Sequence, residues 1–282
     1  MNFKLLKRLV LAAAFFSSLI ASAAAAGQDE ESLRKGRAIA RQLLSQRPTV
    51  NATATGTISV RPRKGETRKI PFVSEVIVED DKWKAVYQTE AAEGAPATRL
   101  VIKHSANVVA KFFLQTGGAD GAFGEARELP WKEVFAPFVG SDFRIIDLAY
   151  PHSDHLAWSE QRLLRTALRR GQSCHQLESV NPKPGDGGFA KVISWIDVDT
   201  GGPLEITGFD RAGKRELQFS PQRIRKVNGE YKVTELHIRN RSTGSRTVLR
   251  FEFETAKKQE SREAAAEARD AALQIKTSST GN

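Results

Sequence analysis

From Asn51 to Phe253 the chain repeats one pattern, short runs of alternating apolar and polar residues separated by turn-forming clusters. A period of two puts successive side chains on opposite faces, so this pattern commits most of the chain to half-buried β-strands. "TATGTISVRPRKGETRKIPFVSEVIVEDDKWKAVYQTE" predicts three strands, turned once at "PRKGE" and again at "EDDK". Phe72, Ser74, Val76 and Val78 share one face of the second strand, and Trp83, Ala85 and Tyr87 one face of the third. "TRLVIKHS" and "VVAKFFLQT" predict two more. After Trp158 strands resume in "RLLRTALRRGQSCHQLESVNP", "FAKVISWIDVDTGGP", "LEITGFDRAGK", "RELQFS", "YKVTELHIRN" and "RTVLRFEFE". In the last, Leu249, Phe251 and Phe253 point inward, Arg250 and Glu252 outward. The turns "DTGGP", "DRAGK" and "STGS" are short hairpin connections. The order is a long antiparallel meander with no βαβ rhythm.

Two segments depart from that period. "DEESLRKGRAIARQLLSQRP" predicts a helix capped by Asp29 or Ser32, with Leu33, Ile39, Leu43 and Leu44 on its apolar face and Pro48 past its end. "GGADGAFGEARELPWKEVFAPFVGSDF" predicts a loop and a short amphipathic helix near Trp131 to Phe138.

The first 26 residues read as a processing segment. Lys4, Lys7 and Arg8 precede an apolar run from Leu9 to Ile20, and small residues follow before an acidic turn. The run is shorter than the roughly 20 residues a bilayer crossing needs. Cleavage after Ala23 or Ala26 fits a small-x-small site. With no cysteine at this junction and no twin-arginine pair, the expectation is a soluble periplasmic protein with a cleaved signal peptide and no lipid anchor. The formal charge is +10, and removing the three cations of this segment leaves +7. The basic residues are interspersed with acids, and "RRGQ" and "RIRKVNG" lack the interleaved stacking aromatics of a nucleic-acid site. Nucleic acid is therefore not an expected partner; in an exported protein, anionic lipid headgroups fit better.

Chemistry-bearing residues are few. Cys174 is the sole cysteine, and its neighbour His175 points to the opposite face of a strand, so a half-buried strand cysteine is the better reading than a nucleophile. His152 and His155 flank Asp154 in a loop, without a third ligand at supporting spacing, so no metal is expected and exposed loop histidines are the simpler reading. Asp142 and Asp147 read as part of backbone capping in a turn, with Ser141 or Asp142 the natural cap, rather than as an acid–base pair. Ser141 lacks the G-x-S-x-G setting of a nucleophile, and "GGADGAFGE" lacks the frame of a phosphate loop. What remains is a load of apolar side chains in strands. Packed against a helix they make a core; in a half-open barrel, aromatics such as Trp83, Phe112, Phe138, Trp195 and Phe209 would line a cavity.

The succession "ATATGTISV", "WKAVYQ", "GSDFRIIDL", "GQSCHQLESVNP", "FAKVISWIDVDTGGPLEITGFDRAGK" and "RTVLRFEFE" resembles the periplasmic outer-membrane lipoprotein-sorting (LolA/LolB-like) family from about Glu31 to Phe253. Gly140, Ser141, Asp142, Phe143, Asp147 and Leu148 match that family's signature turn, with Ile145 and Ile146 where an aromatic–acid pair often stands. The resemblance implies a mainly β fold (α+β), an unclosed antiparallel β-barrel or curved sheet with covering helices and an apolar cavity. It implies no catalysis and no cofactor, a monomer, and acyl chains of lipoproteins or lipids as ligand, with an inner-membrane transporter as a possible partner. The signature segment would cross the mouth, its aromatics toward the cavity. One-face assignment then gives a candidate lining of Val76, Val78, Trp83, Phe112, Phe138, Phe143, Trp195, Phe209, Leu249 and Phe251. The expected organisation is a signal peptide over 1–26, the half-barrel domain over 27–255 and a charged tail over 256–282. The alternative is a periplasmic sensor or protein-interaction domain of the same fold with a filled core. An enzyme built on Cys174 and His175 or on the Asp142 region ranks third.

Overall fold

The computed structural model describes residues 28–91, 96–105, 108–118, 122–149, 153–185, 188–227 and 230–253. The expected signal peptide, the expected tail and His152 lie outside these residues. An α-helix, α1, covers 28–44. The strands are β1 (Ala52–Arg61), β2 (Arg68–Glu79), β3 (Lys82–Thr89), β4 (Thr98–Ser105), β5 (Val108–Thr116), β6 (Arg127–Glu128) and β7 (Glu160–Arg169). They continue as β8 (Gln172–Val180), β9 (Lys191–Asp197), β10 (Pro203–Phe209), β11 (Arg215–Val227), β12 (Glu230–Asn240) and β13 (Arg246–Phe253). All thirteen join in one antiparallel sheet in the order β6-β5-β4-β3-β2-β1-β13-β12-β11-β10-β9-β8-β7, and the sheet is not closed. The meander predicted from alternation is therefore real. It is broken once, where β1 pairs with β13 and brings the two ends of the strand series together.

The chain divides into two compact units. One comprises the α1 region and Tyr150–Glu216; the other comprises Arg47–Ala149 and the chain from Leu217 on. In the first, α1 packs Ala40 and Leu43 on Leu156, Leu177 and Ile196. Its N-terminal half is fixed to β7, which ends the strand order, by Ser32 Oγ donating to the Leu163 carbonyl at 2.7 Å and by an ion pair between Asp29 and Arg162. A helix bonded along an end strand protects an edge that would otherwise template pairing with other chains. Gln161 is buried here. It donates to the His155 and Trp158 carbonyls and accepts from Ser179 Oγ at 2.7 Å, holding the 3₁₀ turn Asp154–Ala157 on the sheet.

The second unit is built from cross-strand rows. Val76, Ala85, Ile102 and Phe112 stand directly opposite one another across β2 to β5, as do Ser74, Tyr87, Leu100 and Leu114 one row along. On the same face, the 3₁₀ turns Glu133–Phe135, Phe138–Gly140 and Ile145–Ala149 and the link between the last two lay Val134, Phe138, Phe143, Ile145 and Ile146 into one cluster with Ile58, Ile70, Phe72, Leu100, Ile102, Phe112 and Leu249. Each such side chain contributes about 1.5–3 kcal/mol when fully buried. The predicted amphipathic helix near Trp131 to Phe138 is only the three-residue turn Glu133–Phe135. Pro137 is the reason: it forces the preceding Ala136 into an extended conformation (φ −67°, ψ 150°), which ends helical winding there.

"RELQFS" also understates its strand. β11 runs through Pro221 to Val227, and its register against β12 shifts between Pro221 and Arg223. Proline has no N–H to give a ladder, and an irregularity of this kind is where a strand admits one.

Gly56 lies opposite both Phe72 and Phe251, whose rings meet edge to face at 5.4 Å. A Cβ on Gly56 would stand 2.1 Å from the Arg250 carbonyl oxygen and 2.5 Å from the Phe72 ring. Gly56→Ala is therefore expected to cost about 1–3 kcal/mol by overpacking, read as a lower urea midpoint at unchanged slope. An unchanged midpoint would mean that the Phe72–Phe251 contact is not close-packed.

Candidate functional site

Burial is uneven along the inner face of the second unit. Ile102, Phe112 and His104 are buried, whereas Val76, Val78, Trp83 and Ala85, in the same rows on β2 and β3, are only partly covered. Trp83 stacks on His104, its cross-strand partner, at 4.8 Å between ring centres. A string of rings runs from Phe253 through Phe251, Phe72 and Tyr87 to Phe138, each 5.4 to 6.5 Å from the next. Burial pushes the Tyr87 phenol up to about 12, and its hydroxyl donates to the Leu148 carbonyl. The group stays protonated and apolar in character across the physiological range.

The expected lining falls into three sets. Phe112, Phe138, Phe143 and Leu249 are interior residues of the close-packed cluster, Phe138 being 2 % exposed, and Phe251 packs against it. Val76, Val78 and Trp83 stand outside that cluster with part of their surface uncovered. Trp195 and Phe209 belong to the other unit. They lie on the sheet face opposite Ile196, the residue that meets α1. There Trp195 lies beneath the guanidinium groups of Arg165 and Arg169, 5.5 and 5.1 Å from its ring, and Lys191 stands 5.4 Å from the Phe209 ring. Sequence reasoning left Ile70, Leu100 and Ile102 out of the candidate set. Their signal was present in the alternation of "TRLVIKHS" and "KIPF".

Gly140, Ser141, Asp142 and Asp147 form a clasp. Val139 and Gly140 both adopt left-handed backbone (φ 45° and 67°), a costly conformation for a β-branched residue that its surroundings must enforce. Arg68 of β2 does so, donating to the Val139 and Gly140 carbonyls at 2.8 and 3.1 Å. Ser141 Oγ accepts the Phe143 N–H. Asp147 caps the next turn, accepting the Arg144 N–H at 2.9 Å and pairing with its guanidinium at 2.7 Å. Of the two expected caps of this turn, Ser141 takes the role and Asp142 does not. Its carboxylate accepts the hydroxyls of Ser245 and, at 2.8 Å, Thr247, while the Asp142 N–H donates to Thr247 Oγ1 at 2.9 Å. The signature thus ties the turn-rich segment to β13.

Cys174 is fully buried rather than half-buried, and burial, then the charge of Asp197, pushes its thiol up. His175 bonds Thr166 at 2.9 Å and is not its partner. His155, expected on an exposed loop, is 5 % exposed, its Nδ1 bonded to Ser153 Oγ at 3.1 Å. The turn Asp154–Ala157, pinned by Gln161, carries it inward.

On the other face of the second unit one carboxylate gathers two guanidinium groups and an imidazole. Glu235 bonds His237 at 2.6 Å, Arg250 at 3.0 Å and Arg223 at 3.7 Å, while Arg246 donates to His237 Nδ1 at 2.6 Å. Burial raises the Glu235 carboxyl, but the bonds from His237 and Arg250 outweigh it and hold the group below its usual range. Burial, then the charge of Arg246, lowers His237 below 6.5 despite Glu235. Both folded-state values are depressed, so their stabilisation is complete above the unfolded values and is lost as pH falls through the folded ones.

Two outcomes are expected. Asp142→Ala leaves the buried Thr247 hydroxyl without its acceptor and costs about 1–3 kcal/mol, Asp142→Asn less, measured by urea unfolding; an unchanged midpoint would remove the clasp. His237→Gln flattens the fall in unfolding midpoint as pH drops below 6.5, and an unaltered pH profile would contradict the His237 assignment.

A protein-family model described as "Uncharacterized protein" matches residues 122–263, half of the chain. No curated protein matches it by sequence. A DUF1329 family protein from Desulfovibrio piger has the same fold, with a TM-score of 0.65 at 16 % identity over 78 % of this chain and 91 % of that one. A domain named for outer-membrane lipoprotein sorting from Vibrio parahaemolyticus scores 0.62 at 18 % identity, over 79 % and 94 % of the two chains. A LolA superfamily protein from Nitrosomonas europaea scores 0.50 at 11 % identity, over 81 % and 93 %. The chain therefore belongs to the family whose model spans residues 122–263, and its unclosed antiparallel sheet is the LolA-like fold.

Proposed function

We propose that this chain is a periplasmic carrier or chaperone that holds acyl chains of lipoproteins or lipids on their way toward the outer membrane. The observation that carries the reading is the partly uncovered apolar surface at Val76, Val78, Trp83 and Ala85, continuous in register with a packed core. An acyl chain in water costs about 0.8 kcal/mol per CH₂, so a ferry needs apolar surface that is open enough to load. The cluster at Phe138 and Phe143 supplies a fixed floor, and the β2–β3 end supplies the contact. The basic, signal-like leading segment and the fold shared with lipoprotein-sorting proteins support the same reading. On this account the carrier domain spans 27–255, no side chain performs chemistry, and cargo reaches the protein from the inner membrane, where a transporter is the natural donor.

A second reading, a sensor or protein-interaction domain with a filled core, has its own support in the packing of Phe138, Phe143, Ile145 and Ile146 into the sheet.

Titrating the mature chain with a fluorescent fatty acid separates the two. The carrier reading predicts saturable uptake at one site per chain, weakened about tenfold by Trp83→Ala and untouched by Leu168→Ser, a change at an exposed position of the other unit. Absence of saturable uptake by the wild-type chain would contradict it and favour the interaction domain.

A further inference from the structure

The turn between β1 and β2 and the turn between β12 and β13 flank an open pocket of about 560 Å³ lined by five arginines: Arg61, Arg63, Arg239, Arg241 and Arg246. We propose that this pocket binds a phosphate group.

Strand register makes the clustering deliberate in physical terms. Arg61 of β1 stands directly opposite Arg246 of β13, and Arg246 directly opposite Arg239 of β12. Like charges directly opposite across strands are destabilising, and here three stand in one row. Arg63 adds its stem across the second turn, its Cδ close against Gly244. The local acids do not neutralise this set. Glu235 is engaged by His237, Arg250 and Arg223, and Asp142 by the hydroxyls of Ser245 and Thr247. Arg61, Arg63, Arg239 and Arg241 form no ion pair among the described residues. Arg246 gives a terminal N–H to His237, yet its Nε is buried with no hydrogen-bond partner among the described residues.

An anion offsets the crowded guanidinium charge. Guanidinium forks match phosphate oxygens two at a time, and a group with several acceptor oxygens serves more than one fork. The walls are arginine stems, turn backbone and hydroxyls, with Pro62 the one apolar side chain, so the pocket takes the phosphate and not a hydrocarbon. Arg246 alternates with Leu249 and Thr247 along β13 and lies on the opposite sheet face. The inference does not depend on the acyl-carrier reading. The phosphate can reach the pocket on a lipid headgroup or on a soluble molecule.

The test uses the mature full-length chain and two double variants that remove equal charge: Arg61→Gln with Arg239→Gln in the pocket, and Arg225→Gln with Lys226→Gln at exposed positions on β11. Inorganic phosphate is titrated calorimetrically at low ionic strength, and co-sedimentation is measured with phosphatidylglycerol and phosphatidylcholine vesicles. Saturable phosphate binding is expected, about tenfold weaker or more in the pocket variant and unchanged in the control. Pocket-dependent sedimentation with phosphatidylglycerol identifies a lipid headgroup as the source; phosphate binding without sedimentation identifies a soluble phosphate compound, and both uphold the site. No saturable phosphate binding, or equal weakening in both variants, overturns it. If the pocket variant does not fold, protection of Arg61 and Arg239 from phenylglyoxal by phosphate in the wild-type chain decides, and absence of protection overturns the proposal.

Discussion

The fold of the second unit rests on the pair of contacts that hold residues 133–149 to the sheet. Asp142 accepts hydrogen bonds from the hydroxyls of Ser245, just before β13, and Thr247 on β13, and Arg68 on β2 holds the Val139 and Gly140 carbonyls. 3₁₀ turns of three to five residues have little stability of their own. Without that clasp, Phe138, Phe143, Ile145 and Ile146 would have no fixed position from which to fill the cluster with Ile58, Phe72 and Leu249. A polar clasp is directional where apolar burial is not, so it sets which part of the inner face is covered and leaves the Val76–Trp83 end partly open.

The two faces of the same strands carry different duties. Inner-face alternation at Leu249, Phe251 and Phe253 builds a hydrophobic surface, whereas Arg246 and Arg250 between and beside them meet Glu235, His237 and the neighbouring arginines. A shift of one residue in the register of β13 would exchange these sets. Gly56 and its two phenyl neighbours, and the Thr247–Asp142 bond, fix that register from the inner side.

Much of the architecture was legible because a two-residue period is a local signal. Leu249, Phe251 and Phe253 were placed on one face correctly, as were Phe72, Val76 and Val78, and the hairpin turns fell at the predicted glycines. The sequence was silent where geometry is non-local. Nothing in "GSDF" says that Asp142 seeks Ser245 and Thr247, more than 100 residues away. Nor does anything at Arg61 announce Arg239 and Arg246 as neighbours. Trp195 and Phe209 read as lining because apolar size is visible in sequence and the identity of the covered face is not. His155 read as exposed for a related reason: Gln161 and Ser179 pull its turn inward through bonds between separate segments. Pro221 hid the continuation of β11, since a proline inside a run normally argues against a strand.

The central claim is that the partly uncovered apolar end of the inner face carries an acyl chain in the cell. Native mass spectrometry of the protein, purified without detergent from the cells that make it and then extracted with organic solvent, tests it most directly. The account predicts a one-to-one adduct that releases an acylated molecule. A clean mass of the bare chain, with no lipid in the extract, would contradict it.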